Sequence, residues 1–296
     1  MAAKGTPGRG SAPSQQTLSI RNRHIACLET VLNLNSTVDS KTSWQEHWKL
    51  LIYDGQCRDV ISTLFKVADL RKHGVTLHLS LHSDRQPVQD VAALYLVEPT
   101  SENVQRIARD CAAGLYDSMY LNWSSSIAQE QLHVLASAVA EADAAQRVVK
   151  VVDQYMDFIS LDHSLFSLNM RDSFVALNDP QVSDSDMQRT INKLVAGLFS
   201  VVVTLGVLPY ISCPHGGAAG MVGDALHTKL SEHIRSTNNL FRDQAFGAAH
   251  ARPVLILLDR QLDLSAPLHH AWTYQAYYIC RDVHNIYSSD LSGIHI

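Results

Sequence analysis

From residue 44 to residue 155, short apolar runs alternate with amphipathic stretches. The apolar runs are Lys49–Tyr53, Val75–Leu81, Ala92–Val97, Ser118–Trp123 and Val148–Tyr155. Runs of four to eight such residues, bounded by turn residues, predict buried strands. Between them lie three segments with helical spacing. The first is Asp59–Lys72, with Val60, Ile61, Leu64, Phe65 and Ala68 on one face and His73-Gly74 as its stop; the others are Glu102–Leu115 and Gln129–Ala145. His82–Arg85 reads as a turn. Strands separated by helices of this length predict right-handed β-α-β units, a parallel sheet and a flavodoxin-like, doubly wound α/β domain. Upstream, Thr17–Leu34 has helical spacing, with Arg21 and Arg23 on its polar side, and Asn33–Thr42 is a polar connector. Met1–Gln16 is small, polar and lacks the apolar core of a signal peptide, which predicts a disordered leader over residues 1–16.

The second half is less regular. Leu161–Ser173 reads as extended and hairpin-like, and Ser183–Asp186 offers a capped helix start. Leu194–Ile211 runs 18 residues without a charge, the length at which a membrane span must be weighed. Gly197, Gly206 and Pro209 interrupt it, so the expectation is a buried helix to about Leu205 and a strand over Val207–Ser212. Cys213–Gly223 reads as a glycine-rich loop and Asp224–Arg235 as a helix. Val254–Leu258, opened by Pro253, predicts a strand buried on both faces. Arg260 stands between Asp259 and Asp263 at its end, which predicts an internal ion pair. Pro267 pushes Ala266 out of the helical region, so a new element opens at Leu268 and gathers His269, His270, Trp272 and Tyr274. Residues 156–296 therefore read as a second α/β unit.

Composition narrows the function. Hydrophobic residues make up 46% and charged residues 18%, as in a folded globular protein. The net charge of −5 gives no basic balance toward nucleic acid or anionic lipid. Five scattered cysteines, without C-x-x-C spacing, read as reduced thiols of a cytosolic protein. There is no Walker-type phosphate loop. The run from His215 to Gly220 lacks both G-x-G-x-x-G and a nucleophile elbow. His82-Ser83-Asp84 places three triad residue types side by side, whereas real triads converge from separate segments. His78 with His82, and His269 with His270, lack matching cysteine or carboxylate spacing for a metal. No cofactor or metal is expected.

The block LLDRQLDLSAPLHHAWTYQA resembles the signature of the Sec/Munc-type (SM) family of syntaxin-binding proteins: an apolar strand, D-R, D two residues later, then T-P-L, H and W-T-Y-Q-A. Ala266 replaces the Thr of T-P-L. The structural signature residues are Asp259, Arg260, Asp263, Pro267, Trp272 and Tyr274. WKLLIYD, VTLHLSLHSDR, ALYLVEPTSENV, YLNW and VVDQYMDFI resemble the first domain of the ER–Golgi Sly-type branch, with Gln86–Ala92 a loosened copy of D-P-I-P-D-V-P. The resemblance implies an SM first domain over residues 17–155, a partial second domain over 156–276 and a divergent tail over 277–296. It implies a non-enzymatic, monomeric protein of vesicle-mediated ER–Golgi transport, cytoplasmic and associated with ER and Golgi membranes only peripherally, through SNAREs. Its partners would be a Golgi syntaxin-type Qa-SNARE and SNARE complexes. Leu132, Leu135 and Ala136 recur at i, i+3 and i+4 and share one helix face ahead of Val148 and Val151. Their periodicity alone reads as core. The resemblance implies that the five line a shallow pocket for an aromatic side chain of the syntaxin N-terminal peptide, with His133-Val134 replacing the usual acid pair. The alternatives are an α/β enzyme with its ligand at the sheet's switch point, marked by Asp54, His82–Arg85 and Glu98, or a truncated product without function.

Overall fold

The computed structural model describes residues 19–36, 48–236, 240–241, 252–263 and 265. In chain order the elements are α1 (Ile20–Leu32), β1 (Lys49–Tyr53), α2 (Gly55–Leu64), α3 (Val67–Lys72), β2 (Val75–Ser80), β3 (Ala92–Val97), α4 (Ser101–Ala113), β4 (Ser118–Trp123), α5 (Gln129–Glu141) and β5 (Val148–Asp153). They continue with β6 (Ile159–Asp162), β7 (Leu165–Ser167), α6 (Ser173–Asn178), α7 (Asp184–Leu205), β8 (Tyr210–Ser212), α8 (Gly217–Arg235) and β9 (Val254–Ile256).

Five strands form one parallel sheet in the order β2-β1-β3-β4-β5, the flavodoxin-like order. The central strands are apolar on both faces because helices cover both. Leu50, Ile52, Tyr95, Leu121 and Trp123 pack beneath α4 and α5, while Leu51, Leu94 and Leu96 pack against α1, α2 and α3. Asp54 fixes the carboxyl end of β1. One of its oxygens caps α2 through the Cys57 N–H at 2.9 Å, and the other accepts from Glu98 N at 2.7 Å and Asn103 Nδ2 at 2.8 Å.

The chain after β5 folds back on the first elements. The β6-β7 hairpin packs on α1 and α2, and α7 packs on α1. Ile20, Phe158 and Val201 form the apolar contact between α1 and α7. Two α1 arginines seal it by satisfying helix ends: Arg21 donates to Thr63 O at the end of α2, and Arg23 to Leu205 O at the end of α7, at 2.9 Å. β8 and β9 form a separate parallel pair whose inner face, Ile211, Leu255 and Leu257, packs with α7 and α8.

Several expectations are corrected. The segment Asp59–Lys72 is two helices. Phe65 leaves the helix with φ −127° and ψ 138° to bury its ring beside Val60 and Leu70, and the backbone restarts at Val67. The glycine-rich segment is helical from Gly217 onward. Gly216 and Gly217 take positive φ, whereas Gly220 and Gly223 serve close approach, since a Cβ on Gly220 would lie 2.9 Å from Pro214 O and one on Gly223 2.6 Å from Cys213 Sγ. Strand β9 is shorter than expected and buried on one face only: Val254, Ile256 and Leu258 are exposed. The helix in the charge-free stretch ends at Leu205 as expected, with Gly206 capping α7 in the left-handed conformation, but the strand after it is only Tyr210–Ser212 and not Val207–Ser212. No helix among the described residues is long and apolar enough to cross a membrane.

Candidate functional site

The five candidate pocket residues gather at the β5 edge of the sheet. Leu135 is 3% exposed and sits in the same apolar cluster as Trp123 and Val139, with Val148 packed against it. Leu135 therefore belongs to the core and floors the region. Leu132 and Val148 are half-buried; Ala136 is exposed, and Val151 is 42% exposed.

A β-bulge makes this grouping possible. In a regular strand, residues three apart face opposite sides. Here the ladder slips between Met119 and Tyr120, so Val148 pairs with Met119 and Val151 with Leu121. Both partners face the layer of α4 and α5, so both valines turn toward α5 and Val149 is the extra residue. The result is an apolar surface on α5 and β5: open valine and alanine side chains above a buried leucine.

Polar contacts hold β5 in place. Gln154 Nε2 donates to Asn35 Oδ1 and to the buried Asn122 Oδ1, each at 2.7 Å. Asn35 Nδ2 donates to the same Asn122 oxygen at 2.7 Å, and Lys150 Nζ donates to Asn35 O at 2.9 Å. Burial pushes the Asp153 carboxyl up from its ordinary value, while the Ile127 N–H, donating at 3.4 Å, pulls it back down. Tyr155 has φ +52° and packs edge-on against Phe199, which ties the end of β5 to α7. Sequence reasoning missed Asn35 and Asn122; an asparagine in the middle of an apolar strand was the available signal.

The carboxyl ends of the other strands are occupied with structure. Arg85 is buried and donates to Asp110 Oδ2 at 2.7 Å, an oxygen that also accepts from Tyr95 OH at 3.0 Å. His82 Nε2 lies 3.0 Å from Asn103 Oδ1, and Glu98 pairs with Lys193 at 3.2 Å. Among the described residues, no group of three histidine, cysteine or carboxylate side chains is placed to hold a metal.

The signature block is described only through residue 265. Arg260 is exposed, so the pair expected around it is not a buried one. Asp259 accepts from Gln261 N at 3.2 Å, and its carboxylate lies against Gly217 at the start of α8. Asp263 accepts from Ser265 N at 2.9 Å. Each acid is held by neighbouring N–H groups of a tight turn. Pro267, Trp272 and Tyr274 lie outside the described residues, as do His269 and His270.

Comparison with known proteins gives this site a setting. The family described as "Sec1 family" matches residues 49–290. The chain belongs to the Sec1 family. "SEC1 family transport protein SLY1" of Arabidopsis thaliana is 43% identical over 260 residues, covering 87% of this chain and 42% of that protein. "Sec1 family domain-containing protein 1" of Homo sapiens is 41% identical over 286 residues, covering 94% of this chain and 44% of the relative. The chain thus spans less than half the length of these Sec1 relatives. A crystal structure of Sly1p in complex with an N-terminal peptide of Sed5p superposes with a TM-score of 0.75 at 31% identity, over 86% of this chain and 44% of that one.

Proposed function

We propose that this chain is a non-enzymatic Sec1-family protein of ER–Golgi vesicle transport. It binds a Golgi syntaxin-type Qa-SNARE through the N-terminal peptide of that partner. The supporting observation is the bulged edge at α5 and β5, in a fold that matches a Sly1p solved with an N-terminal peptide. An aromatic side chain of the peptide lies over Leu132, Ala136, Val148 and Val151, with Leu135 beneath. Buried aromatic anchors dominate interfaces of this kind. The partner is gripped and not transformed, because the polar groups at the strand ends are spent on capping and ion pairs. Residues 17–155 carry this binding site as the first SM domain, and residues 156–276 contribute part of the second. The protein acts as a cytoplasmic monomer that reaches ER and Golgi membranes through its SNARE.

Val151→Asp and Ala136→Glu test the reading, since both replace exposed residues. Each weakens the peptide at least roughly thirtyfold, about 2 kcal/mol, in calorimetry, and leaves the melting temperature in place. Unchanged affinity in either folded variant removes the site.

A further inference from the structure

The opposite edge of the sheet has its own unused features. Residues 81–91, which join β2 to β3, contain no helix and cover the sheet only through Leu81, Val88 and Val91, so among the described residues one corner lacks the fuller cover a crossover helix provides. Trp48 and Leu77 stand at this corner, 69% and 50% exposed. Leu77 pairs with Leu50, whose side chain faces the α4–α5 layer, and Trp48 lies two residues before Leu50. Alternation carried one residue past the start of β1 puts both large side chains on one face.

Among the described residues the backbone there is open as well. Leu81 N–H donates to Tyr53 O at 2.8 Å, so alternation along the ladder turns the N–H and C=O of His78 away from β1. Exposed edges are normally blunted by bulges and lysines. The β5 edge has both, in Val149 and Lys150. On β2 the ladder slips at Thr76, and the four residues beyond it, Leu77–Ser80, run regularly with neither lysine nor proline. The other face of β2 is cationic. Arg71 and Lys72 end α3; Lys72 is held by Asp69 at 2.7 Å, while the exposed Arg71 bears on His78 and helps lower its proton affinity.

We propose that β2 is a strand-addition site for an extended peptide of alternating apolar and acidic residues. The main chain of that peptide pairs with His78, its apolar side chains lie on Trp48 and Leu77, and its acidic side chains meet Arg71. Backbone pairing supplies affinity, and alternate side chains supply selectivity. The site lies across the sheet from α5 and β5 and stands independently of the syntaxin reading.

The probes are two octapeptides, one alternating Val and Glu, the other Val and Lys, titrated into the full chain. The Val/Glu peptide binds and the Val/Lys peptide binds at least roughly tenfold more weakly. Leu77→Glu weakens the Val/Glu peptide roughly tenfold or more, and Arg71→Glu reverses the preference between the two peptides. Both residues are exposed, so both variants keep the circular-dichroism spectrum of the parent. Equal affinity for the two peptides, or indifference to Leu77→Glu, overturns the proposal. So does a dimer that Leu77→Glu dissolves, which makes a second copy the occupant. Resistance of Leu77→Cys to a maleimide in the native chain means that this edge is covered and overturns it equally.

Discussion

Asp157→Asn is expected to stabilise the protein at neutral pH and to leave it unchanged in acid. Asp157 lies between β5 and β6, is 6% exposed, and its Oδ1 has no hydrogen-bond partner. Helix α7 presses on its backbone, since a Cβ on Gly197 would lie 3.0 Å from Asp157 O. The Asp157 pKa is raised from 3.8 to about 6: burial raises it most, the charges of Glu98 and Asp54 add to the rise, and Lys193 and the Gln56 side chain oppose it. Lys193 is already paired with Glu98 at 3.2 Å. From α8, Lys229 also feels the Asp157 charge. The folded state therefore holds this proton up to about pH 6, and the unfolded chain releases it near 3.8. Within that window the folded state binds more protons, so the stability from this group is fully present below 3.8 and lost as pH rises through 6. At roughly 1.36 kcal/mol per pH unit the loss is about 3 kcal/mol. Asn cannot ionise and avoids it. Thermal melts at pH 4 and pH 7.5 should show a variant-minus-parent difference near zero in acid and a gain of roughly 5–10 °C at neutral pH. A variant less stable at pH 7.5 would mean that Asp157 is ionised and held by the lysines, and would refute the reasoning.

His24 supplies the opposite slope. It is fully buried, with Nδ1 3.0 Å from Ser160 Oγ, and burial lowers its pKa to about 3. Its contribution is present above the ordinary 6.5 and is lost as pH falls toward 3, so His24→Gln should flatten the acid limb of a stability–pH profile. Leu135→Lys should unfold the sheet domain in a circular-dichroism melt, because it places an unpaired charge among core side chains. Arg260→Ala should change stability by no more than about 0.5 kcal/mol in denaturant titration, as expected of an exposed residue. Asp110→Ala should cost about 3–5 kcal/mol in the same titration, because it leaves the buried Arg85 unpaired.

The strands at Lys49, Ala92 and Ser118 were legible because burial on both faces writes an unbroken apolar run. The same cue misled at Val254–Leu258, where the run is equally apolar but only Leu255 and Leu257 face helices. The break at Phe65 left no trace, since Phe65 falls on the apolar stripe it departs from. The glycines from 216 to 223 look like a loop, because composition does not separate glycine needed for freedom from glycine needed for contact. Asp259, Arg260 and Asp263 suggested a buried ion pair; Arg260 is exposed instead, and both acids also accept from N–H groups of their own turn. At the site, spacing identified the α5 face but not its depth, so Leu135 was not distinguishable from Ala136. The meeting of Val148 and Val151 depends on a bulge that no local pattern encodes; only the family resemblance placed the two together.

The most direct test follows the amides of the full chain, labelled with nitrogen-15, during titration with the N-terminal peptide of a Golgi syntaxin. Binding at the bulged edge predicts saturable shifts confined to Gln129–Glu141 and Val148–Asp153, abolished when the aromatic residue of the peptide is changed to alanine. Shifts centred on β2 or on α7 and α8, or none at millimolar peptide, would contradict it.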